Sequence, residues 1–134
     1  MAQPSNDPKP VARVLARGVV ALAKSSDSAR MDAQLLLEYA IGRDREWTIA
    51  HPDAAVSAED ALRYTILCER RARGAPIAYI VGAAWLYGRE FRVDEHVLIP
   101  RPETEHLVDE AVEHLRALAA AGRTRIDALD VGTG

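Results

Sequence analysis

From Val11 onward, apolar residues recur at three- and four-residue steps. Val11, Val14, Leu15, Val19 and Leu22 fall on one stripe, which predicts an amphipathic helix. Ser25-Ser26-Asp27-Ser28 is a stop-and-cap cluster. A second helix is expected through Ala33-Gln34-Leu35-Leu36-Leu37-Glu38-Tyr39-Ala40, ending at Gly42. Asp44 is placed to cap a short third helix that carries Trp47 and Ile49 and is closed by His51-Pro52. Ser57-Ala58-Glu59-Asp60 has capping-box spacing, with Asp60 reaching back to the cap. The helix it opens is expected to turn Leu62, Ile66 and either Leu67 or Cys68 inward, and to end at Gly74 with Pro76 behind it. Four short amphipathic helices joined by short polar turns predict a bundle.

The period then changes. Ala84-Trp85-Leu86-Tyr87 and Glu90-Phe91-Arg92-Val93 flank Gly88-Arg89, and glycine at the first central position suits a type II′ hairpin turn. Trp85, Tyr87, Phe91 and Val93 are expected on one apolar face, which needs something to lie on because a lone hairpin is marginal in water. Val97-Leu98-Ile99-Pro100-Arg101-Pro102 reads as extended, since each residue before a proline is pushed out of the helical region. Pro102 opens a helix whose early acids, Glu103, Glu105, Asp109 and Glu110, complement its dipole. Its buried side is expected to be Leu107, Ala111, Leu115 and Leu118 with Val108, Val112 and Ala119, and Gly122 ends it. Ile126 to Val131 reads as a strand that enters the turn Gly132-Thr133-Gly134. Helix, strand and glycine-rich turn are how an α/β nucleotide-binding unit opens.

Composition narrows the function classes. Of the 134 residues 49% are apolar, enough for a core, and only 5% are aromatic, which favours helices packed on helices. Cys68 is the single cysteine, so no internal disulfide forms and a reducing compartment is expected. The N-terminal ten residues hold three of the seven prolines and lack the apolar run of a signal peptide. No membrane span is expected, and the protein reads as soluble and cytoplasmic. The net charge of −3 is unevenly shared. Residues 1–76 have 11 basic against 10 acidic side chains, and residues 77–134 have 6 against 10. Neither part is a nucleic-acid footprint. Glu69-Arg70-Arg71-Ala72-Arg73 is the one basic spot, read either as cations at a helix C-terminus or as a docking patch for an acidic partner. His106, Glu110 and His114 share a helix face, but the histidines stand eight apart rather than four, so a solvated face is the better account than a metal.

A strand running into Gly-x-Gly lets a ligand approach the backbone. The informative residue is Asp130. A carboxylate beside this turn repels a pyrophosphate but tolerates S-adenosylmethionine, whose ammonium and sulfonium are cationic. The local chemistry therefore leans toward a methyltransferase rather than a dinucleotide enzyme.

The stretch from Pro76, "PIAYIVGAAWLYGREFRVDEHVLIPRPETEHLVDEAV", followed by "ALDVGTG", resembles the HemK/PrmC family of release factor glutamine methyltransferases. The resemblance rests on Tyr79-Ile80 with Gly82, the Tyr87-Gly88 turn, the run Val97 to Glu105, and Asp130-Val131-Gly132-Thr133-Gly134. It implies a mainly α chain: a helical bundle, a β-hairpin linker, and the start of a Rossmann-like α/β methyltransferase domain. The expected boundaries are a flexible tail over 1–10, the substrate-recognising bundle over 11–75, the hairpin linker over 76–100, and the truncated methyltransferase domain over 101–134. The implied reaction moves a methyl group from S-adenosylmethionine to the glutamine side-chain amide of the Gly-Gly-Gln loop in class 1 peptide-chain release factors. Asp130, Gly132, Thr133 and Gly134 match the first cofactor motif, and Arg101, Pro102, Thr104 and Glu105 match the segment beside the cofactor's methionine end. The family pattern continues beyond these glycines to an acid for the ribose and an Asn-Pro-Pro-Tyr catalytic motif, so no catalytic residue is assigned here. The chain is expected to be an inactive N-terminal piece of a longer enzyme, monomeric, with release factors as partners and neither nucleic acid nor membrane. Two other classes remain open: another amino-methylating enzyme, such as one acting on adenine in DNA, and a stand-alone helical module that binds a protein.

Overall fold

The structure is a computed structural model and describes residues 8–132. It is mainly helical and divides into two compact units at Val81/Gly82. In chain order the first unit holds β1 (Lys9–Pro10), α1 (Val11–Leu22), α2 (Ala29–Ile41), α3 (Arg45–Ala50), β2 (Ala55–Val56), α4 (Ala58–Ala72) and α5 (Ile77–Val81). The second holds β3 (Ala83–Leu86), β4 (Arg89–Arg92) and α6 (Thr104–Ala120).

Helix α1 follows its predicted stripe. Val11, Val14 and Leu22 are buried, and Leu15 and Val19 pack against the core. Its N-cap is Pro10, whose side chain has nothing to offer the free N–H groups of the first turn. The Val11 and Ala12 amides donate instead to the carbonyls of Ala54 and Pro52, at 3.0 and 2.9 Å. Beside these bonds Lys9 and Pro10 pair antiparallel with Val56 and Ala55. Order thus reaches two residues into the stretch expected to be a flexible tail, because the start of α1 needs those carbonyls.

Asp44 caps α3 as expected, its carboxylate accepting from the Trp47 amide at 2.7 Å. The buried residue of that helix is Thr48, however, while Ile49 is 66% exposed. The Thr48 hydroxyl accepts from Gln34 at 2.7 Å and donates to the Arg45 carbonyl at 2.8 Å. At α4 the Ser57 hydroxyl accepts from the Asp60 amide at 3.0 Å and donates to the Asp60 carboxylate at 2.7 Å. The acid thus meets the cap's hydroxyl. The phase of α4 corrects the sequence reading. Tyr64, Leu67 and Cys68 are buried, whereas Leu62 and Ile66 face solvent. An aromatic ring rather than the leucine–isoleucine pair faces the core, because the space opposite it is shaped by a glycine.

That glycine is Gly18. A Cβ built there would lie 1.7 Å from the Tyr64 hydroxyl oxygen and 2.5 Å from Cζ. Only a hydrogen at this position lets the ring lie against α1. The Tyr64 hydroxyl then donates to the Ala33 carbonyl of α2 at 3.1 Å, so one side chain engages three helices. Burial first of all, with the neighbouring Cys68, pushes its phenol far above the ordinary range, and it stays a neutral donor. Ile80 of α5 joins the same core. This helix lies inside the segment expected to be a hairpin linker, and it begins where the Tyr79 and Ile80 amides both donate to the Pro76 carbonyl at 3.1 Å.

A buried acid sits among these helices. Asp32 is 5% exposed. Its carboxylate accepts from Ser26 at 2.7 Å, Ser28 at 3.1 Å and Arg71 Nε at 2.7 Å. The serines read as a helix cap therefore hold this acid, and Ser28 makes no side-chain bond to the α2 backbone. Arg71, read as part of a basic patch, is half-buried and tied down. Burial acts to raise the Asp32 pKa, but the bonds from Ser26 and Arg71, the Arg71 charge and the bond from Ser28 outweigh it, and the net shift is downward.

In the second unit Leu86 pairs with Arg89, Trp85 with Glu90, Ala84 with Phe91 and Ala83 with Arg92. The central turn residues are therefore Tyr87 and Gly88, with φ of +52° and +70°, a type I′ turn one residue earlier than the predicted II′ turn. A one-residue slip moves side chains across the sheet. Phe91 shares a face with Ala84, while Trp85 stands on the other face beside Glu90, so the single apolar face does not form. Helix α6 has no buried residue, with Leu107 70% exposed and Val108, Val112 and Leu118 only partly covered. Residues 126–132 are not a strand: no ladder partner lies beside them among the described residues, and Leu129 and Val131 are 87% and 82% exposed.

Two outcomes are expected from the bundle. Gly18→Ala should lower the unfolding free energy by about 1–3 kcal/mol despite alanine's better helix propensity, because overpacking outweighs it. Urea titration of Gly18→Ala, Tyr64→Phe and the double variant should show the two changes to be non-additive, and additive losses would contradict the close contact. Asp32 has a lowered folded pKa, so its contribution should be fully present above the unfolded value near about 4 and lost as pH falls through the folded value. Urea midpoints measured from pH 6 down to pH 2 should drop in that acid range for the wild type. Asp32→Asn should start about 1–3 kcal/mol lower and drop less.

Candidate functional site

The residues assigned by motif all lie in the second unit, in two stretches. The first is the proline-flanked segment that opens α6. Arg101, Pro102 and Thr104 are exposed and Glu105 is half-buried. The Thr104 amide donates to the Arg101 carbonyl and the Glu105 amide to the Pro102 carbonyl, both at 3.0 Å. Pro102 thus lies in the turn that feeds the helix, and the helix begins at Thr104. In the second stretch Asp130 is exposed and Gly132 has φ of +84°, a left-handed backbone. Thr133 and Gly134, assigned to the same motif, lie outside the described residues. Among the described residues, no hydrogen bond or ion pair joins the segment 101–105 to Asp130 or Gly132.

Glu105 has another use. Its Oε1 accepts from the Tyr87 amide at 2.7 Å. One helical turn later the Asp109 carboxylate accepts from the Tyr87 hydroxyl at 2.5 Å. Two acids four residues apart on α6 therefore hold the backbone and the side chain of one turn residue. The bond to Asp109 and that acid's charge push the Tyr87 phenol upward, so it remains the donor. This clamp offsets the strain of a non-glycine residue at positive φ. The motif reading assigned Glu105 to the cofactor and missed Asp109. Their four-residue spacing, which places both on one side of α6, was the available signal.

Among the described residues no group of three or more His, Cys, Asp or Glu side chains is close enough to hold a metal, and no helix is long and apolar enough to cross a membrane.

The chain therefore combines a small helical N-terminal unit with a hairpin, a proline-flanked segment and an Asp-x-Gly stretch. A family model described as the PrmC N-terminal domain matches residues 13–82. The chain belongs to this family, HemK/PrmC. It is similar to a release factor glutamine methyltransferase of Rhodopirellula baltica, 40% identical over the whole of this chain and 46% of the relative. A protein of the same name from Koribacter versatilis is 40% identical over 84% of this chain and 38% of its own length. One from Shewanella oneidensis is 37% identical, over 92% and 41%. The chain spans less than half the length of these curated relatives.

Glu105→Gln and Asp109→Asn are each expected to loosen the hairpin tip without unfolding the bundle. Amide exchange at Tyr87 should speed up several-fold in Glu105→Gln, and Asp109→Asn should lower the phenol pKa toward its ordinary value. An unchanged Tyr87 exchange rate in Glu105→Gln would remove the clamp.

Proposed function

We propose that this chain is the N-terminal, substrate-recognising portion of an S-adenosylmethionine-dependent enzyme that methylates the glutamine side-chain amide of the Gly-Gly-Gln motif in class 1 peptide-chain release factors. The observation that carries the reading is the family match over residues 13–82 together with the Asp130-Val131-Gly132 stretch downstream of it. The relatives' shared name points to the reaction and the substrate protein. In this reading the protein works in the cytoplasm as a monomer, and a Rossmann-like domain opens at residue 101.

The residues present fit such a cofactor better than a dinucleotide. Asp130 is an exposed carboxylate two residues before a left-handed glycine, suited to a cationic amino-acid end and unsuited to a pyrophosphate. Asp130, Gly132, Thr133 and Gly134 would hold that end, with Arg101, Pro102 and Thr104 beside it. Glu105 would act on the cofactor only indirectly, through the clamp on Tyr87. When bound, the cofactor supplies an electrophilic methyl group. An amide nitrogen is a poor nucleophile because its lone pair is delocalised into the carbonyl, so catalysis depends on aiming it. The bundle and hairpin contribute to that aim by holding the protein that bears the glutamine.

We further propose that the 134-residue chain by itself neither methylates nor measurably binds the cofactor. A micromolar site requires about 8 kcal/mol and a millimolar one about 4 kcal/mol. Each hydrogen bond to a charged group is worth roughly 1.5–3 kcal/mol, so a pocket that lacks the two contacts an acid makes to the ribose falls short by about that difference. Calorimetric titration with millimolar S-adenosylmethionine should show no saturable heat, and the melting temperature should not move. A dissociation constant in the tens of micromolar would overturn this part of the proposal. A protein extended to the relatives' length should methylate a release factor, and failure there would overturn the assigned reaction.

A further inference from the structure

A groove of about 300 Å³ runs between α1 and α4, at the lower end of the size of small-molecule sites. Lys9 pairs with Val56, and Tyr64 lies on Gly18, so residue numbers rise together and the two helices start at the same end. The buried residues Val14, Gly18, Tyr64 and Cys68 line the floor. Ala21, Ala61 and Ala72 line it too, and their short side chains leave the gap between the helices open. Burial pushes the Tyr64 phenol and the Cys68 thiol up, so both stay neutral and the floor carries no charge.

The charge around this groove is one-sided. From Lys9 to Lys24 the chain carries Lys9, Arg13, Arg17 and Lys24 and no acidic residue. None of these cations is in an ion pair among the described residues. Lys9 and Arg17 line the groove. Helical side chains lean toward the helix N-terminus, so Arg17 reaches toward the end at which Lys9 stands. The acid of the lining, Glu69, lies beyond Tyr64 toward the other end, and Arg73 stands 3.8 Å from it. Of the acids in the first turn of α4, Asp60 is held by the Ser57 hydroxyl, and neither it nor Glu59 lines the groove. A guanidinium beside apolar surface binds a carboxylate well. A phosphate would gain nothing from an apolar floor, whereas an acid with an apolar body can cover it.

We infer that the α1–α4 groove is a binding site for a small monocarboxylate with an apolar body, about the size of octanoate. Its carboxylate meets Arg17 and Lys9, and its chain covers Gly18, Tyr64 and Cys68. The inference does not rest on the proposed function, whose cationic cofactor is assigned to residues of the other unit.

The test titrates hexanoate, octanoate, octanol and octylamine into the full chain and follows backbone amide shifts by NMR. Octanoate should give saturable shifts at Ala21, Thr65 and Cys68, and affinity should rise about fourfold for each methylene from hexanoate to octanoate. Octanol and octylamine should bind octanoate's site about tenfold more weakly, and Arg17→Gln should cost octanoate about tenfold while leaving octanol unchanged. Ala21→Leu, at an exposed position of the lining, should fill the groove and weaken octanoate and octanol alike. Thr65→Leu, exposed on the facing helix, takes its place if Ala21→Leu lowers the melting temperature. Shifts that do not saturate, that lie outside the groove, or that survive its filling would overturn the site. Equal binding of octanoate, octanol and octylamine would overturn its preference for a carboxylate, as would an Arg17→Gln variant that binds octanoate like wild type. Each of these failures leaves the proposed function standing.

Discussion

The ring of Tyr64 lies so close to Gly18 that α1 and α4 have one way to approach each other, and its hydroxyl reaches past that contact to the Ala33 carbonyl of α2. A single side chain therefore sets the spacing of three helices. Apolar side chains alone would allow several nearly equivalent packings of short helices. A tyrosine on a glycine, with a directed hydrogen bond beyond it, favours one. The orientation of α4 follows from this contact, and with it the residues that α4 buries and those it shows to solvent.

The polar ties depend on that orientation. Once Tyr64 is seated, Arg71 comes to Asp32 and the serines of the α1–α2 turn complete the acid's shell. A buried carboxylate is tolerable only when its oxygens are satisfied, and here three donors satisfy them. The basic cluster is thereby divided: one arginine is structural, and its neighbour Arg70 is left beside apolar surface. In the second unit carboxylates also do the positioning. Glu105 and Asp109 hold the hairpin tip from one side of α6, and Tyr87 takes a backbone conformation that a free peptide would rarely adopt.

The candidate site was legible to different depths. Asp130 and Gly132 stand out because an acid before closely spaced glycines is chemically unusual, and the reading against a phosphate ligand needs only that local pairing. Glu105 was legible as a motif residue, but its bond to the hairpin was not. Its neighbours in sequence pointed to a cofactor segment, while its carboxylate is bonded to a residue 18 positions earlier. Asp32 could have been noticed as an acid one turn before Leu36 on the apolar side of its helix, yet nothing in the sequence says which cation meets it 39 positions away.

The sequence by itself determined the helices of the bundle, their caps at Asp44 and Ser57, and the presence of a hairpin. Those features depend on periodicity and on bonds within a few residues. It also determined family membership, which is carried by motif and order. Only the tertiary structure decided which side of α4 faces inward, that Trp85 and Phe91 part to opposite faces, and that Lys9 and Pro10 pair with Ala55 and Val56. The reason is physical. Helical phase and strand register can shift by one residue at little local cost, and what selects among the shifted states is contact with residues far along the chain: Gly18 for Tyr64, Glu105 for Tyr87, and the Pro52 and Ala54 carbonyls for the start of α1.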